Sequence, residues 1–392
     1  MPARKGIPDG RIMIYNNTMP ECLYIHIPFC IRKCSYCDFF SVPYDKLTVI
    51  KYVDALCKEL CLKRDLAQTL KTVYIGGGTP TLLPDECFRQ LFQCLKDNYH
   101  FSSDIEITVE ANPGTIHGSK IDTIMSLGVN RLSIGVQSFN NSELKTLGRI
   151  HDSEDVFRSI ETMKNAGIRN FSIDLMYGIP GQTMDSWRDS VSKAAGFSPS
   201  HISTYELTPE EHTPFFALLD AHKISMPDED LILDMYNHAI DYLTGSGYEH
   251  YEISNFAKPG FKCMHNLNYW DRGEYLGAGA GAHSFIQKRR SQNIRDIKGY
   301  IEKLNTGIIP GIEPMQLTDE DSLREVLFLG LRKTEGINVQ KAQKLGLNIP
   351  DEVQDLIREG YLELDQDYLR FSRKGIVLSN TLLVRLFEKL GL

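Results

Sequence analysis

The sequence predicts an α/β protein: an open, partial (β/α)6 barrel followed by a C-terminal winged-helix-like α+β domain. Three observations predict it. Short apolar and β-branched runs alternate with stretches of helical periodicity between residues 23 and 207, the order that gives parallel strands with right-handed crossovers. Unusual polar and glycine residues fall just after those runs, and β/α barrels keep their chemistry at the carboxyl ends of their strands. From Asp319 the pattern changes to helices around one hairpin.

Taken in order, residues 1–20 read as a polar N-terminal tail, and residues 23–29 form an apolar run that reads as a buried strand. Residues 46–68 have helical spacing, with Val53, Leu56, Cys57, Leu60 and Cys61 on one side. Cys57 and Cys61 stand at i, i+4 and are expected to face the core, since a free thiol behaves as a small hydrophobe. Cys87 and Cys94 on the next helix (85–98) are read the same way. Strands follow at 72–75, 105–110, 130–137, 170–177 and 201–207, with helices between them and another at 226–245. With the first strand these make six β/α units, and the barrel is assigned to residues 21–250. Residues 248–283 read as irregular and rich in aromatics and glycine, so 251–317 is expected to link the domains and cover the barrel mouth. The remainder, 318–392, holds a helix (319–332), short helices near 339–345 and 351–358, a hairpin around Asp365-Gln366-Asp367 and a last helix.

Composition excludes several classes. With 392 residues, 42% apolar and 24% charged, the chain has the make-up of an ordinary globular protein of two or three domains. A net charge of −8 argues against nucleic acid as a partner, despite the winged-helix pattern. No apolar run approaches the ~18 residues of a bilayer span, and Asp9, Asn16 and Asn17 sit where a secretory leader would be apolar. Nine cysteines, an odd number in a long chain, fit a reducing compartment, so a cytoplasmic location is expected.

The chemistry begins at Cys30-Ile-Arg-Lys-Cys34-Ser-Tyr-Cys37. Three thiolates at this spacing can hold three irons of a [4Fe-4S] cluster and leave the fourth iron open to a small molecule. Structural zinc is the competing reading, but it wants a closed set of four ligands, and here Asp38 and Phe39 follow with no histidine near.

The spacing resembles the signature of the radical S-adenosylmethionine (SAM) superfamily. The flanks Tyr24-Ile-His26-Ile-Pro28-Phe-Cys30 and Tyr36-Cys37-Asp38-Phe39 are similar to the branch containing oxygen-independent coproporphyrinogen III oxidases and HemW-type heme chaperones. Further motifs carry the resemblance along the chain: Gly76-Gly-Gly-Thr-Pro80, Val109-Glu-Ala-Asn-Pro113, Gly135-Val-Gln137, Leu147-Gly-Arg149 and Asp174-Leu-Met-Tyr-Gly178. It implies a radical SAM barrel, with SAM contacts at Tyr24, Tyr36, Gly77, Gly78, Thr79, Glu110, Gln137, Arg149, Asp174 and Thr208. Residue chemistry agrees. Glycines let a ligand approach the backbone, Glu110 and Asp174 suit an ammonium or ribose hydroxyls, and Arg149 offers a fork for a carboxylate. Each also has a plainer role as a strand-end cap, a turn residue or a solvated helix end. The implied reaction is one-electron cleavage of SAM to a 5′-deoxyadenosyl radical.

Within this branch the authentic oxidases carry a fourth cysteine, in the pattern Cys-x-Cys, where this chain has Cys37-Asp38-Phe39. The segment His265-Asn266-Leu-Asn-Tyr269-Trp270 is similar to an H-N-x-x-Y-W motif associated with heme in the chaperones. Histidine is a common axial ligand, Tyr269 and Trp270 offer flat faces, and Asn266 suits a propionate or the imidazole. A histidine among aromatics is also often only a hydrogen-bonded structural residue, and Cys263 and His283 are alternative ligands. The resemblance therefore implies a heme chaperone with a [4Fe-4S] cluster and exchangeable SAM, delivering heme to an unknown acceptor protein, with a membrane-bound acceptor left open. The alternative is an oxygen-independent coproporphyrinogen III oxidase; a radical SAM methyltransferase is a third reading with no feature of its own.

Overall fold

A computed structural model of the chain describes residues 19–343 and 351–392. The expected polar tail up to residue 18, and residues 344 and 345 of the expected short helix, lie outside the described residues.

The main sheet has nine strands: β1 (Cys22–Ile27), β2 (Thr69–Gly77), β3 (His100–Ala111), β4 (Arg131–Gln137), β5 (Phe171–Tyr177), β6 (His201–Glu206), β7 (Glu249–Glu252), β8 (Asn255–Ala257) and β9 (Leu276–Ala278). Their spatial order is β9-β1-β2-β3-β4-β5-β6-β8-β7. All neighbours from β9 through β6 pair in parallel, whereas β8 runs antiparallel to β6 and β7. Strands covered on both faces read as apolar runs, and Leu23, Ile25 and Ile27 of β1 are fully buried.

Helices α1 (Lys46–Lys63), α2 (Asp85–Asn98), α3 (Gly118–Ser126), α4 (Ser153–Asn165), α5 (Met184–Gly196) and α6 (Glu229–Gly245) fall between the strands in sequence. Their starts are written locally. The Asp45 carboxylate accepts the Thr48 N–H at α1, and capping boxes open α4 (Asp152, Asp155) and α5 (Thr183, Ser186). The stripe of α1 that meets the core includes Val49, Tyr52, Val53, Leu56, Glu59, Leu60 and Lys63. An ion pair therefore occupies the last turns of that stripe and Cys61, expected inside, is rotated out and exposed. Cys57 is half-buried and accepts through its carbonyl from the Cys94 thiol, while Cys87 is buried.

The expected six β/α units are present, with additions at both edges. The irregular-looking stretch after residue 248 supplies β7, β8, the helix α7 (Met264–Trp270) and β9. The expected boundary at residue 250 falls inside β7, and the region after it is woven into the sheet as well as over the mouth. β9 reads only Leu-Gly-Ala within a Gly/Ala run, so neither β-branching nor alternation announces it. After it come a small antiparallel sheet (His283–Ile286, Arg289–Gln292, Met315–Gln316) and α8 (Ile297–Asn305). The C-terminal domain holds α9 (Asp319–Gly330), a three-stranded sheet with the hairpin Leu362–Asp365/Tyr368–Phe371, and closing helices, the winged-helix-like arrangement expected.

Candidate functional site

The cysteine loop leaves β1 and is turned back by a parallel bridge between Phe29–Cys30 and Val42–Pro43. Its middle is pinned to the chain after β4. The Ser35 N–H donates to the Leu147 carbonyl at 3.2 Å, and the Phe215 N–H donates to the Ser35 carbonyl at 3.0 Å. The Arg32 guanidinium donates to the carbonyls of Gly148 (3.0 Å) and Arg149 (3.1 Å). Gly148 has φ +73°, and a Cβ there would stand 3.2 Å from the Ser35 nitrogen, so only glycine fits the clasp. Tyr36 packs on a small separate core of Leu147, Met176, Ile179, Leu207 and Phe215.

Cys30, Cys34 and Cys37 are free, half-buried thiols in one loop. Among the described residues no three Cys, His, Asp or Glu side chains converge on one point as a mononuclear metal site requires. Cys30, Cys34 and Cys37 are the residues that would hold a [4Fe-4S] cluster, one thiolate from each. Burial pushes the Cys30 and Cys37 thiols up; a bound metal would reverse that. Arg149 lies against the loop, donating through Nη1 to Cys34 Sγ at 3.4 Å and through Nη2 to Asn112 Oδ1 (2.5 Å) and the Gly135 carbonyl (2.6 Å). Thr79 Oγ1 lies 3.9 Å from Cys30 Sγ and accepts from the Asn112 amide at 2.7 Å.

At the end of β2, Gly77 adopts φ +114°, and a Cβ there would reach 2.5 Å from the His26 ring. Its N–H donates to Glu110 Oε2 at 3.0 Å, and the Tyr74 hydroxyl donates to Glu110 Oε1 at 2.8 Å. Burial nevertheless raises the Glu110 carboxyl to about 7, the two hydrogen bonds only moderating it. Asp174 accepts from Ser133 (2.9 Å), Ser172 (2.9 Å) and Ser203 (2.8 Å), yet burial still pushes it up. Gln137 holds a left-handed backbone at φ +66°. Thr208 is exposed beyond β6.

Between this rim and α7 lies a cavity of about 590 Å³. Tyr24, Gly77 and Glu110 line it from the barrel; His265, Asn266 and Tyr269 line it from α7; Phe39, Phe40, His283 and Arg295 form a further wall. Glu106 of β3 accepts the N–H groups of Met264 and His265, both at 3.1 Å, and so fixes the start of α7. His265 is buried, 1% exposed, and stacks on Tyr74 with centroids 5.1 Å apart. One of its ring nitrogens bonds Thr72 Oγ1 at 2.7 Å and the other the Tyr269 hydroxyl at 2.8 Å. Burial lowers its pKa to about 3, so the ring is neutral. Trp270 does not line the cavity, and its buried indole N–H has no partner among the described residues. Cys263 is fully buried, 3.6 Å from Glu106, with its thiol pushed up to about 12 by burial.

Residues 24–194 match the radical SAM superfamily, and residues 317–378 match the HemN C-terminal domain. The heme chaperone HemW of Bacillus subtilis (strain 168) is 37% identical over 91% of this chain and 96% of its own. That of Lactococcus lactis subsp. lactis (strain IL1403) is 36% identical over 94% of this chain and 97% of its own. The chain belongs to the HemW heme chaperone family. The fold is also that of the coproporphyrinogen III oxidase HemN from Escherichia coli, a radical SAM enzyme, with TM-score 0.81 and 26% identity over 94% of this chain and 90% of the other. Phe39, two residues after the third cysteine, stands 67% exposed at the cavity edge. No helix among the described residues is long and apolar enough to cross a membrane.

Several residues of the candidate site carry no signal of their own in the motifs. Ser172 stands two residues before Asp174 on its own strand, whereas Ser133 and Ser203 reach Asp174 from the two flanking strands through register, Asp174 opposite Ser203 and Ser133 opposite Ser172. Asn112 follows Glu110 by two residues at a strand end, and that position is its signal. Tyr74 and Arg295 carried none.

Proposed function

We propose that the chain holds a [4Fe-4S] cluster on Cys30, Cys34 and Cys37 with SAM beside it, carries heme in the adjoining cavity, and hands the heme to an acceptor protein. The observation that carries this reading is the shared cavity: Tyr24, Gly77 and Glu110 border it from the barrel side, and Asn266 and Tyr269 from α7. When bound, the cluster and SAM supply one-electron reducing chemistry. The chain's own residues fit them. Arg149 sets a cation against the cysteine loop, Gly77 exposes backbone at the rim, and Glu110 and Asp174 supply carboxylates for the ammonium and the ribose hydroxyls. Aromatic faces from Tyr24, Tyr74, Phe40 and Tyr269 suit a flat porphyrin and keep water from it. The cysteine usage supports work in the cytoplasm, with the acceptor protein still to be identified.

The test is anaerobic reconstitution followed by hemin titration. We expect four irons per chain, lost in Cys34→Ala, and saturation at about one heme per chain, the stoichiometry of a single cavity. A wild-type protein that takes up no heme specifically would overturn the reading. The likeness to HemN favours a second one, oxidative decarboxylation of coproporphyrinogen III; the presence of Phe39 weighs against it, and turnover of coproporphyrinogen III with SAM would establish it.

A further inference from the structure

We propose that His283 is the iron ligand of the cavity and that Arg295 receives a heme propionate. The inference rests on the heme-carrying reading above and assigns its contacts. Three imidazoles border the cavity: His26, His265 and His283. His26 is 5% exposed, with its ring nitrogens bonded to the Tyr24 hydroxyl (2.9 Å) and the Phe40 carbonyl (2.8 Å). His265 is similarly closed, bonded at both nitrogens and stacked on Tyr74. For either ring to ligate iron, a buried hydrogen bond must break and strand its partner, at a cost of about 1–3 kcal/mol. His283 carries no such cost. It is exposed, it faces the cavity, and its ring makes no hydrogen bond among the described residues.

Its mounting is rigid. His283 opens the strand His283–Ile286, which pairs with Arg289–Gln292, and its carbonyl lies so close to Gly277 that a Cβ there would meet it at 1.9 Å. Arg295 lines the same wall, its guanidinium 5.9 Å from the centre of the Phe40 ring. Its guanidinium donates to the Asp38 carbonyl at 3.3 Å, and among the described residues it has no carboxylate partner. A cation beside an aromatic platform is the arrangement that takes a carboxylate on a flat ligand. Coordination forms one nitrogen–iron bond from the imidazole lone pair and moves no electron between partners. The α7 motif then acts as the facing wall, with His265 as a positioning residue that holds the Tyr269 hydroxyl.

The experiment uses the full chain and two probes, ferric hemin and iron-free protoporphyrin IX, with electron paramagnetic resonance and Soret spectra as readouts. His283→Ala is expected to lose the imidazole-ligated spectrum and weaken hemin binding at least about tenfold (~1.4 kcal/mol), to leave protoporphyrin binding unchanged, and to regain the spectrum with added imidazole. Arg295→Gln should weaken both porphyrins and keep the wild-type hemin spectrum. His265→Ala should keep the ligated spectrum. A wild-type spectrum in His283→Ala, or its loss in His265→Ala alone, would overturn the assignment. Failure of the wild type to bind hemin at all would instead remove the underlying reading.

Discussion

Glu110 is a group whose proton matters. Its carboxyl sits near 7 because burial disfavours the charge more than Tyr74 and the Gly77 N–H favour it. Since its pKa is raised on folding, the folded chain holds a proton there that the unfolded chain has lost, and stability without ligand declines as pH rises from the ordinary carboxyl range toward 7. An ammonium or hydroxyl donor binds the ionised form. SAM affinity is therefore expected to fall about tenfold per pH unit below 7 and to level off above it, with Glu110→Gln weaker throughout and flat with pH; calorimetric titration of the reconstituted protein checks this. Gly77→Ala should lose SAM binding, because its Cβ has no room against His26 and its φ is left-handed. Such residues were legible because their signals are local: cysteine spacing, a glycine run, an acid at a strand end. The serine cradle of Asp174 was not, since two of its three hydroxyls, Ser133 and Ser203, come from flanking strands at no fixed spacing in sequence.

At the scale of elements, α1 shows what periodicity reveals and what it hides. Its caps and apolar stripe were legible; Glu59 within that stripe was not. Fully buried, Glu59 pairs with Lys63 at 2.6 Å and accepts from Tyr300 (2.5 Å), the Asn293 amide (2.6 Å) and the Gly279 N–H (2.8 Å). Lys63 in turn donates to the Gly277 carbonyl at 2.9 Å. One ion pair on the first helix thus holds the glycine-rich segment that includes β9. Removing one partner strands the other buried charge, so Glu59→Ala is expected to lower stability by about 3–5 kcal/mol, measured by urea unfolding. Helix α7 was hidden for a related reason: its start is fixed by Glu106 on a distant strand, and its own sequence supplies no cap.

At the scale of the molecule, the C-terminal domain is tied to the rest by a small charged cluster. Glu325 on α9 accepts from Arg272 Nε at 2.7 Å and Arg290 Nε at 2.6 Å, and both guanidinium groups lie over the Phe285 ring, at 4.8 and 4.6 Å from its centre. Glu325→Ala leaves two cations beside one ring with no carboxylate between them. Hydrogen exchange in α9 and in Arg289–Gln292 should then quicken by about tenfold, with the barrel strands unchanged. The order of domains was legible from changes in pattern; these tethers join residues far apart in the chain, and sequence spacing carries no trace of them.

The pairing of β1 with β9, Leu23 opposite Leu276, also sets a timetable for synthesis. Some 250 residues must be translated after β1 before its outer edge finds a partner, and until then a largely apolar strand presents open backbone groups to its neighbours. The ribosome-bound intermediate is thus the most aggregation-prone form of the chain. A fragment ending at residue 250 should partition into the insoluble fraction, whereas one extended through the β9 segment to residue 317 should remain in solution.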